Sequence, residues 1–208
     1  RCAYCGCSPA KKIEIRRNKR KVPYPTIFYN GIDRIDNSKG YNLANSATCC
    51  NRCNTGKNTR TLDEFVSWID NVQCQRPIFA FESKSTTIDA LASNLISRLK
   101  SDAKRRGIIW GLTDQQVISL VGKHCAYCRC PPENKLTVRG RSMIYSGIDR
   151  VDNNQSYRAD NVVPCCTNCN LAKNDLSFED FIDWLERLKT NMLLRQGDVL
   201  LSRVETLP

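Results

Sequence analysis

Gly147-Ile148-Asp149-Arg150, followed downstream by Cys166-Thr167-Asn168-Cys169-Asn170-Leu171-Ala172-Lys173, decides the fold because the chain carries this pattern twice. The earlier version reads Gly31-Ile32-Asp33-Arg34 and Cys50-Asn51-Arg52-Cys53-Asn54-Thr55-Gly56-Lys57. Laid on each other at a constant offset of 116, residues 31–69 and 147–185 agree at 16 of 39 positions. A match of that density is an internal repeat, and its period is too long for a solenoid. Upstream, Cys2-Ala3-Tyr4-Cys5-Gly6-Cys7 matches Cys125-Ala126-Tyr127-Cys128-Arg129-Cys130 at an offset of 123, so the first copy holds 7 additional residues before its Gly-Ile-Asp-Arg segment. They fall in a basic run, where Lys11, Lys12, Arg16, Arg17, Lys19, Arg20 and Lys21 stand against Glu14 alone.

Each copy reads as a knuckle, a β-hairpin, a short helix and a longer helix, an α+β class. Ile13, Ile15, Ile27 and Tyr29 alternate with polar residues around the basic turn, a strand signature. Thr61-Leu62-Asp63-Glu64 is a capping box ahead of Leu62, Phe65, Ile69 and Val72 at helical spacing. Ser177 opens the matching helix, whose apolar face is Phe178, Phe181, Ile182 and Leu185. Between the copies, Ile88 to Leu99 and Thr113 to Val121 read as two more helices, punctuated by Gly107 and Gly111. The expected organisation is a first module over 1–83, a helical linker and lead-in over 84–123, and a second module with a C-terminal helix over 124–208. The second copy has a long helical lead-in that the first lacks, so a segment is expected to precede Arg1.

At 208 residues the chain has room for one or two domains. Polar residues interrupt every apolar run well before the ~18 residues that a membrane span needs, so no transmembrane helix is expected. Thirty-two basic against 21 acidic residues give a net charge of +11, which suits a polyanionic partner. Thirteen cysteines cannot all pair, and 12 of them belong to the repeat, with only Cys74 outside it. A C-x-x-C turn presents two sulfurs on one side of a knuckle, and two such turns close a tetrahedral zinc site. Cys2, Cys5, Cys50 and Cys53 form one expected site, and Cys125, Cys128, Cys166 and Cys169 the other. Disulfides are the alternative, disfavoured by the twofold recurrence, and reduced thiols imply an intracellular, reducing compartment. Cys7, Cys49, Cys130 and Cys165 are read as small buried hydrophobes beside the zinc rather than as ligands.

The order of C-x-x-C, a strand ending in Asp-Arg, an Asn, and C-x-x-C-N-x-x-K resembles the HNH, or ββα-metal, endonuclease family, and within it a zinc-bound restriction endonuclease. The resemblance covers nearly all of both copies. It implies two tandem zinc-stabilised ββα-metal modules that act as an intramolecular pseudo-dimer, with one active site per copy hydrolysing DNA. It implies Asp33 with Asn54, and Asp149 with Asn170, as ligands of a catalytic Mg²⁺ or Mn²⁺, hard oxygen donors suited to such an ion. Asn45 and Asn161 take the family's middle position, either pinning the loop or standing as plain turn asparagines. Arg34 and Arg150 replace the family's histidine general base. Arginine cannot be deprotonated, so their expected role is to clamp the scissile phosphate. Tyr4 and Tyr127 are then candidates to activate or orient the attacking water; the other reading is that each packs on its knuckle. His124 has no counterpart, since Arg1 takes its place in the other copy.

Contacts to nucleic acid are expected from Lys12, Arg16, Arg17, Lys19, Arg20, Lys21, Lys57, Lys104, Arg105 and Lys173, with DNA favoured over RNA by the resemblance alone. The alternative function is a non-catalytic nucleic-acid-binding protein on the same scaffold, such as a subunit of a nucleoprotein assembly. Asp, Arg, Asn and Lys stand at matching places in both copies, which favours the enzyme. Each lysine or arginine that neutralises a phosphate releases a counterion. Replacing Arg16, Arg17, Arg20 and Lys21 with alanine is expected to flatten the slope of log K against log salt by up to about one unit per lost contact. An unchanged slope would make the run a solvated face.

Overall fold

A computed structural model of the chain describes residues 1–13, 26–72, 76, 77, 79, 81 and 88–204, with side chains of the last helix described through Leu193. Arg16, Arg17, Lys19, Arg20, Lys21, Ile15 and Cys74 lie outside the described residues. Two compact units divide the chain: Arg1–Ile69 with Asp183–Pro208, and Asp70–Ile182.

The first unit begins with strands β1 (Lys11–Ile13) and β2 (Ile27–Tyr29), an antiparallel pair in which Lys11 faces Tyr29. All of their residues are exposed, so this pair covers no core. Strand β3 (Gly31–Arg34) pairs antiparallel with β4 (Ser46–Cys49), with Asp33 opposite Ala47. Helix α1 (Asn51–Lys57) follows at once, because Cys50 caps it: the Cys53 amide donates to the Cys50 sulfur at 3.4 Å. The helix ends at Asn58, which has a positive φ of 52° and whose amide donates to the Asn54 carbonyl at 2.9 Å. Helix α2 (Leu62–Asn71) starts from the expected capping box between Thr61 and Glu64. It buries Phe65, Trp68 and Ile69, while Leu62, expected on that face, is exposed.

In the second unit, α3 (Ala90–Arg105) is capped by Asp89, and α4 (Asp114–Val121) by a Thr113–Gln116 capping box. Strands β5 (Asn134–Val138) and β6 (Arg141–Tyr145) form a hairpin across Arg139 and Gly140. Both turn residues have positive φ, 50° and 78°, as a two-residue turn of matching twist requires. Strand β7 (Gly147–Arg150) pairs with β8 (Val162–Cys165) in the register of β3 and β4, Asp149 opposite Val163. Helix α5 (Thr167–Lys173) is capped by Cys166 and ends at Asn174 with φ 49°, as α1 does at Asn58. Helix α6 (Phe178–Val204) starts at Ser177, whose hydroxyl accepts from the Asp180 amide at 3.0 Å.

The units regroup the chain relative to the modules read from sequence. The segment expected to be a helical linker and lead-in supplies core: Leu95 and Ile96 of α3 and Val117, Leu120 and Val121 of α4 cluster with Ile148 and Val162. Helix α6 from Asp183 onward belongs to the first unit. There Trp184 packs 6.4 Å from Trp68, which stacks on Phe65 at 5.7 Å, and Asn191 donates to the carbonyls of Ala3 and Tyr4 at 3.1 and 2.9 Å. The amphipathic periods locate helices but do not say which face each one covers.

Gly56 is where this packing leaves its mark on the sequence, since the other copy has Ala172 there. A Cβ on Gly56 would fall 2.5 Å from Trp184 Cη2, a ring atom with no room to swing away cheaply. Gly56→Ala is therefore expected to lower stability by roughly 1–2 kcal/mol, because overpacking outweighs the gain of about 1 kcal/mol in helix propensity. The shift of the chemical-denaturation midpoint measures it, and a stabilised variant would contradict the packing.

Candidate functional site

The knuckles gather their thiols. In the first unit the sulfurs of Cys2, Cys5, Cys50 and Cys53 all lie within 4.8 Å of one another, with Cys5 and Cys50 3.8 Å apart. In the second unit the same holds for Cys125, Cys128, Cys130 and Cys166, with Cys128 and Cys166 3.7 Å apart. Four sulfurs about 2.3 Å from one ion sit about 3.8 Å from each other, so both clusters have the dimensions of a tetrahedral zinc site and could hold one. Hydrogen bonding within the clusters pulls the Cys2 and Cys125 thiols down, foremost from Cys49 and from Cys128 respectively. Cys49 and Cys165 are buried and each donates to a neighbouring carbonyl, of Cys50 and Cys166, at 3.3 Å. The fully buried Cys169, expected as the fourth ligand, neighbours Cys125, Cys128 and Cys166. Cys130, read from sequence as a bystander, belongs to the tight group.

Beside each cluster lies a buried trio. The Tyr4 hydroxyl donates to Asp33 Oδ2 at 2.6 Å, and Lys57 Nζ approaches the same oxygen at 3.1 Å while donating to the Arg34 carbonyl at 2.8 Å. Tyr127, Asp149, Lys173 and the Arg150 carbonyl repeat this at 2.6, 3.1 and 2.7 Å. Lys57 and Lys173 are wholly buried and both aspartates are 4% exposed. This corrects the expectation that Lys57 and Lys173 contact nucleic acid: each is used inside, neutralising an aspartate. A sequence signal for this existed, since each lysine stands four residues beyond a buried cysteine ligand and so on the same inward helix face.

The tyrosines are likewise committed. Burial foremost, and then Asp33, push the Tyr4 phenol up, and burial and Asp149 do the same to Tyr127. Each hydroxyl donates to its aspartate, which is how the structure places the two tyrosines expected at the site. Tyr4 packs edge-on against Phe65 of α2 at 6.0 Å, and Tyr127 against Phe181 of α6 at 5.6 Å. Burial pushes the Asp149 carboxyl up, against the pull of Lys173.

Around the second trio a cleft of about 600 Å³ opens, lined by Asp149, Arg150, Asn170, Asn134, Asn174 and Arg106 among others. Arg150 is fixed in it: Nη1 donates to the Asn153 and Gln155 carbonyls at 2.8 and 2.5 Å, Nη2 reaches Asn153 Oδ1 at 3.3 Å, and the guanidinium lies over Tyr157 at 5.4 Å. Arg34 is held more loosely, by a 3.4 Å contact to the Lys39 carbonyl and by Tyr41 at 5.3 Å. Asn170 is half-buried, whereas Asn54 at the matching helix position is exposed. Asn161 accepts from the Asp152 amide and donates to the Asp152 and Ser156 carbonyls, and Asn45 does the same with Asp36 and Gly40. Both asparagines thus tie the loop that follows the Asp-Arg strand. Lys12, Lys104 and Arg105 are exposed, and Arg105 pairs with Asp102 at 2.9 Å.

Lys57→Met and Lys173→Met would each leave a buried carboxylate without its cation, which costs roughly 3–5 kcal/mol. Both variants are expected to lose stability by that order in denaturant unfolding, with no change in the salt slope of nucleic-acid binding measured on the folded fraction. A flattened slope with unchanged stability would return these lysines to the phosphate-contacting set.

No family model matches the chain. It is 28% identical over 186 residues, 87% of its own length, to an uncharacterized protein of Acanthamoeba polyphaga mimivirus, and it spans 30% of the length of that relative. Among solved structures it is similar to the rare-cutting HNH restriction endonuclease PacI, at a TM-score of 0.37 and 21% identity, covering 60% of this chain and 95% of that one.

Proposed function

We propose that the chain is a metal-dependent endonuclease of the HNH type that hydrolyses DNA, with one centre in each unit acting on one strand apiece. The observation that carries this reading is the cleft in the second unit, where a buried aspartate, an immobilised arginine and an asparagine meet beside a thiol cluster of zinc-site dimensions. The motif resemblance and the net charge of +11 support the same reading.

Tyr127 and Lys173 both engage Asp149 Oδ2, so the carboxylate is held in one orientation at the cleft wall. The carboxylate and the Asn170 amide are hard oxygen donors, the set that fits a divalent ion with open positions for phosphate and water. Asp149 with Asn170, and Asp33 with Asn54, would hold that ion, which would supply positive charge to the scissile phosphate and the departing oxygen. Arg150 has five N–H donors, and the loop around Asn153 takes three of them. The remaining two suit a phosphate oxygen, and a guanidinium already fixed in place loses little freedom on binding it. Arg34 lacks that fixation, so the first centre is the slower one.

One observation favours the second reading, a nucleic-acid-binding protein without catalysis. An ammonium 3.1 Å from each aspartate already neutralises its charge, which weakens the attraction for a divalent ion. Cleavage assays separate the two. Incubated with plasmid and Mg²⁺ or Mn²⁺, the protein is expected to make double-strand breaks that chelation abolishes. Asp149→Ala is expected to reduce this to slow nicking, Asp33→Ala to nicking of the opposite strand at nearly the wild-type rate, and the double variant to bind without cutting. Binding without cleavage by wild type under either ion would establish the non-catalytic reading.

A further inference from the structure

Each copy of the repeat holds six cysteines, more than one tetrahedral ion needs, and the two copies do not use them alike. In the first, the mutually close set contains Cys53; in the second, it contains Cys130, two residues beyond Cys128. The knuckle turn that carries Cys130 is built like that of Cys7 in the first unit, where Gly6 has φ 70° and the Cys2 amide donates to the Cys7 carbonyl at 2.9 Å. Arg129 adopts φ 63°, which turns the chain back, and the Cys125 amide closes the loop on the Cys130 carbonyl at 2.9 Å. Cys169 also remains at the cluster, on the first turn of α5, with its amide 3.3 Å from the Cys166 sulfur. Cys125, Cys128 and Cys166 thus neighbour both Cys130, with which they form the mutually close set, and Cys169.

We propose that Cys130 is a fifth ligand-competent thiolate of the second unit, able to complete the zinc coordination in place of Cys169. The inference rests on the reading of the thiol clusters as zinc sites. Zn²⁺ imposes no directional preference from its filled d shell, so the fourth ligand is whichever sulfur reaches the tetrahedral position with its proton removed. On taking that position the Cys130 thiol releases one proton to solvent, the displaced Cys169 sulfur takes one up, and no electron is transferred. Cys169 is tied to a helix and Cys130 to a loop, which gives the second unit two independent routes to a closed site. Loss of one thiol by modification would then leave its zinc in place.

The test is zinc content per folded chain, with the thiolate-to-metal charge-transfer absorbance of the cobalt-substituted protein as a second readout. Wild type is expected to hold two ions. Cys169→Ser and Cys130→Ser are each expected to hold two ions as well, with four-thiolate cobalt intensity retained. The Cys130→Ser/Cys169→Ser double variant is expected to hold one. Cys169→Ala, which places no hydroxyl in the buried position, guards against a folding defect of the serine variant. One ion in both Cys169 variants, or two ions in the double variant, would overturn the proposal. Fewer than two ions in folded wild type would instead refute the zinc reading beneath it.

Discussion

A lysine ammonium and an aspartate carboxylate lie side by side at the centre of each unit, both out of reach of water. Removing two charges from water costs several kcal/mol per ion after relaxation, and only close pairing with full hydrogen bonding offsets it. The structure supplies both: the carboxylate also accepts from a tyrosine, and the ammonium also donates to a strand carbonyl. Three elements are fixed by that arrangement. The tyrosine comes from the knuckle, the aspartate from the strand, and the lysine from the end of the helix that carries two knuckle cysteines. Anything that orders the knuckle also sets the orientation of the carboxylate, so metal binding and site geometry are one problem.

The two centres share this frame and differ in what surrounds it. Ile148 is buried against α3 and α4, whereas the matching Ile32 is 59% exposed. Tyr157 is 9% exposed beneath Arg150, whereas Tyr41 under Arg34 is 67% exposed. A guanidinium held by loop carbonyls and a buried ring is preorganised, while one resting on an exposed ring loses rotamer freedom on binding. The difference lies in packing around the arginine, since the motif residues are the same in both copies.

The trio also explains why a lysine in a basic protein need not be a nucleic-acid contact. Net charge counts residues without regard to burial, and among the described residues Lys57, Lys173 and Arg150 are buried. The two ion pairs leave the net charge unchanged, since the two aspartates are withdrawn with the lysines that neutralise them.

Spacing alone determined a good part of this protein. C-x-x-C turns are local, so the two thiol clusters were legible, as was the capping box at Thr61, which depends on residues three apart. The Asp-Arg strand and the asparagine of the short helix were legible because the repeat set them out twice. What required the tertiary structure were the long-range choices. Lys57 and Lys173 turn inward to an aspartate more than twenty residues away, the tyrosine hydroxyls point at that carboxylate, and Cys130 joins a cluster that its spacing did not require. Helices α3 and α4 cover the second unit, and α6 from Asp183 completes the first. An apolar stripe records only that a face is buried. Which partner buries it follows from how whole elements pack, and Gly56 beneath Trp184 shows in the sequence only as an unexplained glycine.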